Sequence, residues 1–493
     1  MSTTGRLTRG LRAGTRRRLF EDASQDIGAE LALITEVDLA HLVMLARTGL
    51  LDRARAAAIT RAVVHLREER FAGVRDLPRP RGLYLAYEEH LSRLLGPETG
   101  GALHTGRSRN DLNATTAAMR LRAWTLDFLE QALRLHAVLL GRARAHRDTV
   151  MPVYTHFQAA MPVTYGHYLL GIAEALGRDA DAVADAARGL ERCPLGAGAV
   201  AGTDLPVDPA ATAALLGFSA PARHATDAVA SRDTHLRILA AVAGTGVTLS
   251  RLGTDLQLWS TAEFGLVHMP DHLVGGSSAM PQKRNAFLLE HLKAKAGAAI
   301  GAWTAASSMV KSTPFTNCIE VGTEAVAACR PGLDAVHEAV LLAQVLAGGA
   351  LPRPERMARR AEEGFTTATA AANHLVREGV AFRTAHHAVG EEVRRALEEG
   401  RTGLDAVTVG GTRRPVPAHL TSPEAAARAT GAGGGPGAFD ILFEQARREL
   451  RARALRHTRA RQRLAGARRG LEEAVRELTA PVASGGRQPA RTP

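Results

Sequence analysis

The feature that most restricts how this chain folds is a helical hydrophobic period that lasts for about nine turns. Between Ser231 and Phe264, apolar or small residues recur every three or four positions: Leu236, Leu239, Ala243, Gly246, Leu249, Leu252, Leu256 and Trp259. A helix this long needs an apolar partner of similar length. The period therefore predicts a bundle of long helices or a coiled-coil-like assembly.

Similar periods run through residues 111–146, 290–311 and 324–346, and only 4% of the 493 residues are aromatic. Abundant Ala, Leu and Arg favour helices over strands. We therefore predict an all-α fold with three helical domains and a disordered tail. The predicted bounds are 1–105 for the N-terminal domain, 106–352 for the central long-helix bundle, 353–469 for the C-terminal domain and 470–493 for the tail.

The formal charge of +12 raises the question of nucleic acid as a partner. The arginines are interleaved with acids along the chain, as on solvated helix faces, and the densest cluster lacks aromatic residues. No nucleic acid and no membrane partner is expected. Cys193, Cys318 and Cys329 show no CxxC spacing, which predicts a reducing, cytoplasmic location without a zinc site. The Arg-rich N-terminus leaves a transit peptide as the alternative.

The stretch HLVGGSSAMPQKRNAF, residues 272–287, combines glycines, serines and one of only four lysines in the chain. Glycine-rich backbone leaves N–H groups free to face an anion, and Ser277, Lys283 and Asn285 add polar groups. Lys is a mobile point charge, unlike the planar Arg that this chain otherwise prefers. Composition alone leaves two interpretations open: an anion-binding loop or an ordinary surface loop.

Two further stretches carry polar groups between the helices. HTGRSRND, residues 104–111, places Thr105, Ser108, Arg109 and Asn110 before a long helix, which suits either a carboxylate site or a helix N-cap. In VYTHFQAAMPVTYGH, residues 153–167, His156 is either catalytic or structural. Neither a metal-ligand spacing nor a GxSxG elbow is present.

Together these stretches resemble the argininosuccinate lyase branch of the fumarase/aspartase superfamily. The loop GGSSAMPQKRN fits the superfamily pattern SSxMPxKxN, and TGRSRND and THFQ are similar to that branch. The resemblance implies a homotetramer with a twenty-helix core and active sites shared between three subunits. It also implies elimination of an amine from a small dicarboxylate-containing substrate to leave fumarate, with no metal and no other cofactor.

The resemblance assigns roles to individual residues. Ser277 and His156 are the catalytic pair, and which of them takes the proton stays open. Lys283 and Asn285 are expected to stabilise the aci-carboxylate intermediate. The remaining matches are expected to bind the substrate: Thr155, Ser108, Arg109, Asn110, Arg232, Thr105 and Gln158.

The departures from the family concentrate on the amine side of the site. Asn317, Gly322 and Ala325 stand where the family has a Tyr, a Gln and a Lys, and Asp38 replaces a serine. Tyr84 replaces a histidine and Ala286 a proline. Asp38 and Asn317 are the candidates for a rebuilt amine pocket.

We therefore predict an argininosuccinate lyase-like carbon–nitrogen lyase whose amine product need not be arginine. Two alternatives stay open: a standard argininosuccinate lyase of arginine biosynthesis, and a non-catalytic homologue like the lens crystallins of this family. The presence of the four catalytic matches Ser277, His156, Lys283 and Asn285 argues against the second alternative.

Overall fold

The N-terminal part is a set of packed helices. The structure, a computed structural model, describes residues 26–79 and 82–481. The first helices are α1 (Ile27–Arg47), α2 (Arg53–Glu68), α3 (Ala72–Arg75), α4 (Leu83–Leu95) and α5 (Pro97–Gly100), followed by a 3₁₀ turn, Gly101–His104. Asp26 and Asp52 cap α1 and α2 by accepting backbone N–H groups, which fixes where both helices begin.

The central part contains the long helices that the sequence predicted. It comprises α6 (Arg109–Ala145), α7 (Tyr165–Ala186), α8 (Pro209–Leu215), α9 (Ala225–Ala230), α10 (Asp233–Ser260), α11 (Phe287–Val310) and α12 (Val326–Gly349). A 3₁₀ turn, Ala187–Glu191, follows α7, another, Asp271–Leu273, precedes α11, and a π-helical turn, Glu320–Ala325, precedes α12. The five long helices α6, α7, α10, α11 and α12 pack side by side as an up-and-down bundle.

Small residues set the spacing of this bundle. A methyl group added at Gly246 on α10 would lie 3.2 Å from Cα of Ala296 on α11. One added at Gly332 on α12 would lie 3.1 Å from Cα of Ala299. Glycine at these two positions therefore lets the helix backbones approach each other closely.

The strands are short and occur in pairs. They are β1 (Val150–Thr155) with β2 (Gln158–Thr164), β3 (Arg192–Cys193) with β4 (Ala220–Pro221), β5 (Val267–His268) with β6 (Leu351–Pro352), and β7 (Ala406–Val409) with β8 (Thr412–Pro415). Only the β3–β4 pair is parallel. The β1–β2 hairpin joins α6 to α7 and carries one of the polar motifs at its tip.

The C-terminal part divides into two. Its helices are α13 (Pro354–Glu363), α14 (Ala368–Arg377), α15 (Phe382–Glu398), α16 (Ala418–Thr421), α17 (Pro423–Ala429) and α18 (Phe439–Thr479), with 3₁₀ turns at Ala432–Gly434 and Pro436–Ala438. Leu375, Val389 and Val407 belong to a small core of their own, whereas Phe443 and Leu471 of α18 join the central core. The region predicted as one domain, 353–469, thus contains two packing units.

The predicted start of the tail is wrong. Helix α18 continues to Thr479, so residues 470–479 are helical. Leu471, Ala474 and Leu478 are buried there, which explains why this stretch is ordered despite its Gly- and Arg-rich beginning. The remainder of the predicted tail, 482–493, lies outside the described residues.

The fold class is confirmed: the described chain is all-α with a central bundle of long helices. The period predicted over 231–264 corresponds to α10, Asp233–Ser260. Within the described ranges, the helices lack the combination of length and apolar character that crossing a bilayer requires.

Candidate active site

The motif 104–111 forms the beginning of α6. Ser108 is the N-cap: its Oγ accepts the N–H of Asn110 at 3.2 Å, and its own N–H donates to the Asp111 carboxylate at 3.0 Å. The capping interpretation is therefore confirmed. The side-chain amide of Asn110 donates to the carbonyl of Ala199 at 3.0 Å. Polar groups of the motif thus gather at a helix N-terminus, where the helix dipole favours an anion.

Asp111 ties this helix start to the glycine-rich loop 193–208. Its second carboxylate oxygen accepts the N–H groups of Gly196 at 3.1 Å and Gly198 at 2.9 Å. Both glycines have positive φ, +104° and +58°, which other residues rarely adopt. Sequence reasoning missed this function of Asp111, although its place as the last residue of the motif was a usable signal.

A buried ion pair lies directly behind the motif. Asp38 has no exposed surface and contacts Arg107 at 2.6 Å. Arg107 also donates to the hydroxyl of Tyr84 at 2.9 Å, and that hydroxyl lies 3.0 Å from Nδ1 of His104. The same nitrogen lies 3.2 Å from the Glu88 carboxylate.

This network corrects one expectation. Asp38 was predicted to line the amine pocket, but its side chain and that of Arg107 are both enclosed and paired with each other, so neither is exposed to a ligand. Burial opposes the charge of Arg107, yet Asp38 and Tyr84 raise its pKa above the ordinary value. Arg107 was missed because the sequence shows two arginines in the motif and does not show which one points inwards.

The other predicted substrate-binding residues at this end are placed close by. Thr105 is half-buried, and its carbonyl lies 2.9 Å from Nε2 of His41. Arg109 is exposed on the first turn of α6. These two residues therefore flank the helix N-terminus on the solvent side of the buried ion pair.

Arg232 is a buried cation at the start of α10. Only 5% of the residue is exposed, and its guanidinium donates to the carbonyls of Val229 at 3.1 Å and Ser231 at 2.7 Å. Burial lowers the pKa of Arg232. Within the described chain its Nε makes no hydrogen bond and no carboxylate pairs with it. A substrate carboxylate would supply both the charge and the acceptor that are lacking.

The amine segment, residues 313–325, lies between α11 and α12. It includes a turn of π-helix, Glu320–Ala325, a form often found at functional sites. The half-buried Asn317 places its Oδ1 beside Gly322, 3.3 Å from where a Cβ would be. Phe315 and Ile319 are 68% and 66% exposed. The π-helical turn packs on α9, which leads directly into Arg232.

His156 occupies the tip of the β1–β2 hairpin in a strained backbone conformation. His156 and Phe157 have φ of 51° and 61°, although a two-residue turn of this kind favours Gly, Asn or Asp. The paired Thr155 and Gln158 flank them, and all four residues are exposed. The hairpin therefore presents the histidine and both predicted substrate-binding neighbours to the outside of this chain.

The loop 275–285 is called the lid loop because the family resemblance implies that it closes over the substrate. Two backbone hydrogen bonds form its neck. The N–H of Gly275 donates to the carbonyl of Asn285 at 2.8 Å, and the reverse bond measures 2.7 Å. Inside the loop, Oγ of Ser277 accepts the N–H groups of Ala279 at 3.3 Å and Met280 at 3.1 Å. Two donors on one hydroxyl oxygen favour its deprotonated form.

The remaining polar groups of the lid loop have separate positions. Lys283 is exposed, and in the described part of the chain its ammonium forms no ion pair. Arg284 instead anchors the loop, donating to the Met269 carbonyl at 2.9 Å and to Asp271 at 2.7 Å. The Asn285 side chain is held only by a 3.4 Å bond to Gly276. The ammonium and the amide are therefore available to a ligand.

The predicted site residues fall into two groups at opposite ends of the bundle. Each end is named after the predicted roles of its residues. The recognition end comprises the start of α6, the loop 193–208, Arg232 and the amine segment. The catalytic end comprises the hairpin tip and the lid loop. Helix α6 alone separates Ser108 from the hairpin by 37 residues, about 55 Å at the usual rise. One chain therefore does not bring its two groups of site residues together.

Among residues 26–79 and 82–481, no three His, Cys, Asp or Glu side chains form a group that could hold a metal ion. The three cysteines are free, with Cys193 and Cys329 buried and Cys318 partly exposed. Burial raises the pKa of the Cys193 thiol to about 12. This thiol is therefore a structural group and not a nucleophile.

Comparison with known families gives two matches along the chain. A family model described as Lyase matches residues 52–301, which include the motifs at 104–111, 153–167 and 272–287. A second model, described as Argininosuccinate lyase C-terminal, matches residues 365–416. The second match coincides with the small separate core of the C-terminal part.

Proteins with similar sequences include argininosuccinate lyases from several organisms. The argininosuccinate lyase of Thermus thermophilus is 42% identical over 74% of this chain and 79% of its own length. That of Halorhodospira halophila is 38% identical over 81% of this chain and 85% of its own. Both alignments extend well beyond a single motif.

Solved structures share the architecture. A crystal structure of EDDS lyase in complex with formate superposes with a TM-score of 0.83 at 29% identity, covering 92% of both chains. A class II fumarase from Schistosoma mansoni has a TM-score of 0.64 at 16% identity, covering 76% of this chain and 85% of its own, and shows the fold alone. By its sequence relatives and its fold, the chain belongs to the argininosuccinate lyase family of the fumarase/aspartase superfamily.

Proposed function

We propose that this protein is an argininosuccinate lyase-like carbon–nitrogen lyase. It eliminates an amine or guanidine from an N-succinyl adduct and releases fumarate. The observation that carries the proposal is the position of Ser277, whose Oγ receives two backbone N–H groups inside a loop that also holds Lys283 and Asn285. That arrangement suits a serine that works as an oxyanion.

Elimination requires removal of a proton from the carbon next to a carboxylate. Ser277 in its alkoxide form takes this proton, and the electron pair left behind moves into the carboxylate to give the aci-carboxylate. Lys283 and Asn285 stabilise the added negative charge. The pair then returns to form the double bond of fumarate as the C–N bond breaks. The nitrogen leaves with a proton, for which His156 is the candidate donor.

The opposite assignment, with His156 as the base, remains the alternative for the first step. The hydrogen bonds to Ser277 favour the serine, because they stabilise its alkoxide more strongly than its hydroxyl form. His156 lies on a hairpin without such donors. At the recognition end, Arg232, Arg109, Asn110 and Ser108 hold the two carboxylates of the succinyl group, assisted by Thr105.

A homotetramer with shared active sites follows from two features of the single chain. The first is the separation of the two ends of the bundle by about 55 Å, which a second copy running in the opposite direction removes. The second is apolar surface on the long helices. Val247, Ile300, Trp303, Leu341 and Val345 are between 40% and 53% exposed on α10, α11 and α12.

Exposure of these apolar side chains to water would be unfavourable in a monomer. Large exposed apolar patches on proteins commonly mark an interface. Helix α11 makes the same point, since only five of its 24 residues are buried although it is mostly apolar. Light scattering of the purified protein should give four times the chain mass of 52.3 kDa. A monomer that retains full activity would contradict shared sites.

The amine released need not be arginine. The amine segment offers Asn317, Gly322 and exposed Phe315 and Ile319, and no Lys or Tyr. Without the charged Lys and the hydroxyl of Tyr, buried polar groups of an arginine-containing substrate would lack hydrogen-bond partners. This would cost roughly several kcal/mol of binding free energy. Standard argininosuccinate lyase activity is the second candidate, favoured by the 42% identical relative of that name.

The test is fumarate release, followed by its ultraviolet absorbance. Argininosuccinate is compared with adducts made in the reverse direction from fumarate and a panel of amines. Ser277→Ala should abolish turnover of every accepted substrate, whereas the neighbouring Ser278→Ala should retain it. Turnover of argininosuccinate at the rate of the Thermus enzyme would refute the altered amine. Activity unchanged by Ser277→Ala would support a non-catalytic homologue and refute the lyase.

A cytoplasmic location is part of the proposal. Its support is that all three cysteines are free in the described structure, as expected in a reducing compartment. Fractionation of cells that express the full chain would test it.

A further inference from the structure

A cavity lies outside both ends of the bundle. It is bounded by the middle of α6, the C-terminal half of α7 with the 3₁₀ turn that follows, and the middle of α18. Its volume of about 740 Å³ is in the range of small-molecule sites. None of its lining residues belongs to the motifs 104–111, 153–167 or 272–287.

The floor of the cavity is apolar. The side chains that line it include Leu126, Leu129, Leu133, Ala184, Leu190 and Leu464. The alanines on α7 and α18 leave the space open, since a larger side chain at Ala184 would fill it. An apolar group of matching size would gain burial here.

The positive charges around the cavity differ in how they are neutralised. At one side, Arg453 and Arg456 each contact Asp181 at 2.8 Å, and Glu449 adds a second acid to Arg453. At the other side, Arg463 forms no ion pair within the described chain, although it lines the cavity and is exposed. Arg459 and the acid Glu191 also line the cavity, are exposed and form no ion pair within the described chain, so the unpaired charge around the cavity remains positive overall.

Arg122 adds to this uncompensated charge. Its guanidinium donates to the carbonyls of Leu216 at 2.8 Å and Gly217 at 3.0 Å, and it lies 4.3 Å from the ring centre of Phe218. No carboxylate pairs with it among the described residues. Burial lowers the pKa of Arg122 to about 10, and the nearby charge of Arg463 acts in the same direction, while Glu36 and Cys193 act against it.

Two guanidinium groups thus share one side of the cavity and repel each other. An anion between them would offset that repulsion. It would also give Arg122 a negatively charged acceptor, whereas its present acceptors are neutral carbonyl oxygens.

We propose that this cavity binds an amphipathic organic anion. Its apolar body lies on the leucine-lined floor, and its carboxylate or phosphate head lies between Arg122 and Arg463. The site is separate from the proposed lyase chemistry, so the two proposals stand or fall independently.

The experiment uses three probes with one alkyl chain: octanoate, octyl phosphate and octanol. Isothermal titration of the full-length protein should show saturable binding of at least one of the anions, with one site per chain. Octanol, which lacks the charge, should bind at least about ten-fold more weakly. The tighter of the two anions identifies the head group. Saturable binding of neither anion would overturn the proposal.

Variants locate the binding. Arg463→Glu should weaken binding of the anions by at least about ten-fold, because it replaces attraction by repulsion. Arg469→Glu, on the same helix and exposed but outside the cavity, makes the same change in net charge and should have little effect. Equal weakening by both variants would reduce the effect to overall charge and refute the site.

A third variant tests the apolar floor. Ala184→Phe fills the cavity without changing its charge and should abolish binding of octanoate and octyl phosphate alike. Retention of full affinity in a folded Ala184→Phe protein would refute the site. Ser277→Ala should bind the probes as the unchanged protein does, whatever its effect on fumarate release.

Discussion

The two ends of the bundle are built in different ways. At the recognition end, Arg107, Asp111 and Arg232 are buried and held by partners within the same chain. At the catalytic end, His156 and Lys283 are exposed, and the lid loop depends on the two-bond neck between Gly275 and Asn285. One end is therefore held by buried contacts within the chain, and the other end is largely exposed.

This difference matches the two tasks. Carboxylates bind more tightly to cationic groups that are already held in place, because less conformational entropy is lost on binding. Proton transfer needs exclusion of water, which a loop provides by closing over the substrate. In the proposed homotetramer, the catalytic end of one chain would meet the recognition end of another chain and form the complete site with it.

The largest effect is expected when a residue of each end is substituted in a different chain. Ser277→Ala and Arg109→Gln should each be nearly inactive as homotetramers. Co-expressed in equal amounts, they should recover about one quarter of the unchanged activity, because some sites then receive both intact residues. Fumarate release by the purified mixed tetramer measures this.

The control is a chain that carries both substitutions. Tetramers that mix it with either single variant should stay inactive, because they lack either every intact Ser277 or every intact Arg109. Mixed tetramers that form, as seen by native mass spectrometry, but recover no activity would show that both residues of a site come from one chain. That result would also require the bundle to bend in a way that its 37-residue helix opposes.

A second prediction tests the rigidity of the recognition end. Asp38→Asn leaves the Arg107 charge buried without its partner, and should lower the free energy of unfolding by about 3–5 kcal/mol. Asp271→Asn at the catalytic end breaks an ion pair of similar length, but Asp271 is 95% exposed and the change should have little effect. Urea denaturation at fixed protein concentration measures both.

The double variant Asp38→Leu with Arg107→Met distinguishes stability from function. Replacing a buried ion pair by apolar residues of similar size often costs little stability. The double variant should therefore regain most of the free energy of unfolding that Asp38→Asn loses. Its substrate affinity should stay low if Arg107 positions the motif 104–111. A single Asp38→Asn variant as stable as the unchanged protein would contradict the buried pair.

A third prediction concerns pH and the recognition end. Burial, together with the charge of Arg232, lowers the pKa of His235 to about 3. The unfolded chain binds a proton at this histidine near pH 6.5, and the folded chain does not. Folding is therefore weakened as the pH falls below about 6.5, and the loss continues down to about 3.

The loss from His235 alone should be about 1.6 kcal/mol between pH 6.5 and pH 5. His235→Leu removes this proton uptake, so its free energy of unfolding should vary less with pH across that interval. Urea titrations at the two pH values check the difference. Identical pH slopes for the two proteins would mean that His235 is not the group that resists protonation.

Much of the fold could be predicted because long helices have a strong period. The pattern from Leu236 to Trp259 identifies α10 to within a few residues of its ends, Asp233 and Ser260. The start of the tail was missed for the opposite reason. Leu471, Ala474 and Leu478 are buried against distant helices, and a local composition rich in Gly and Arg does not reveal such partners.

The motifs and the family resemblance name individual residues but not their geometry. Ser277 and His156 stand in stretches with unusual polar content, whereas Arg232 was assigned by the resemblance alone, and the roles of all three stay predictions. Asp38 was misjudged because its role depends on Arg107, 69 positions further along the chain, which no local pattern reports. The strained turn at His156 was also invisible, because His and Phe do not signal positive φ.

The smallest predicted effect tests that strain at the catalytic end. Phe157 has φ of 61° and is 77% exposed, so its side chain contributes little burial while its backbone is unfavourable. Phe157→Gly should therefore raise the free energy of unfolding by about 1 kcal/mol. Phe157→Ala removes the same side chain but keeps the Cβ, and should give no such gain. Equal stability of the two variants in urea would show that the turn stores no strain, and the histidine would then be exposed by the hairpin at no cost to the fold.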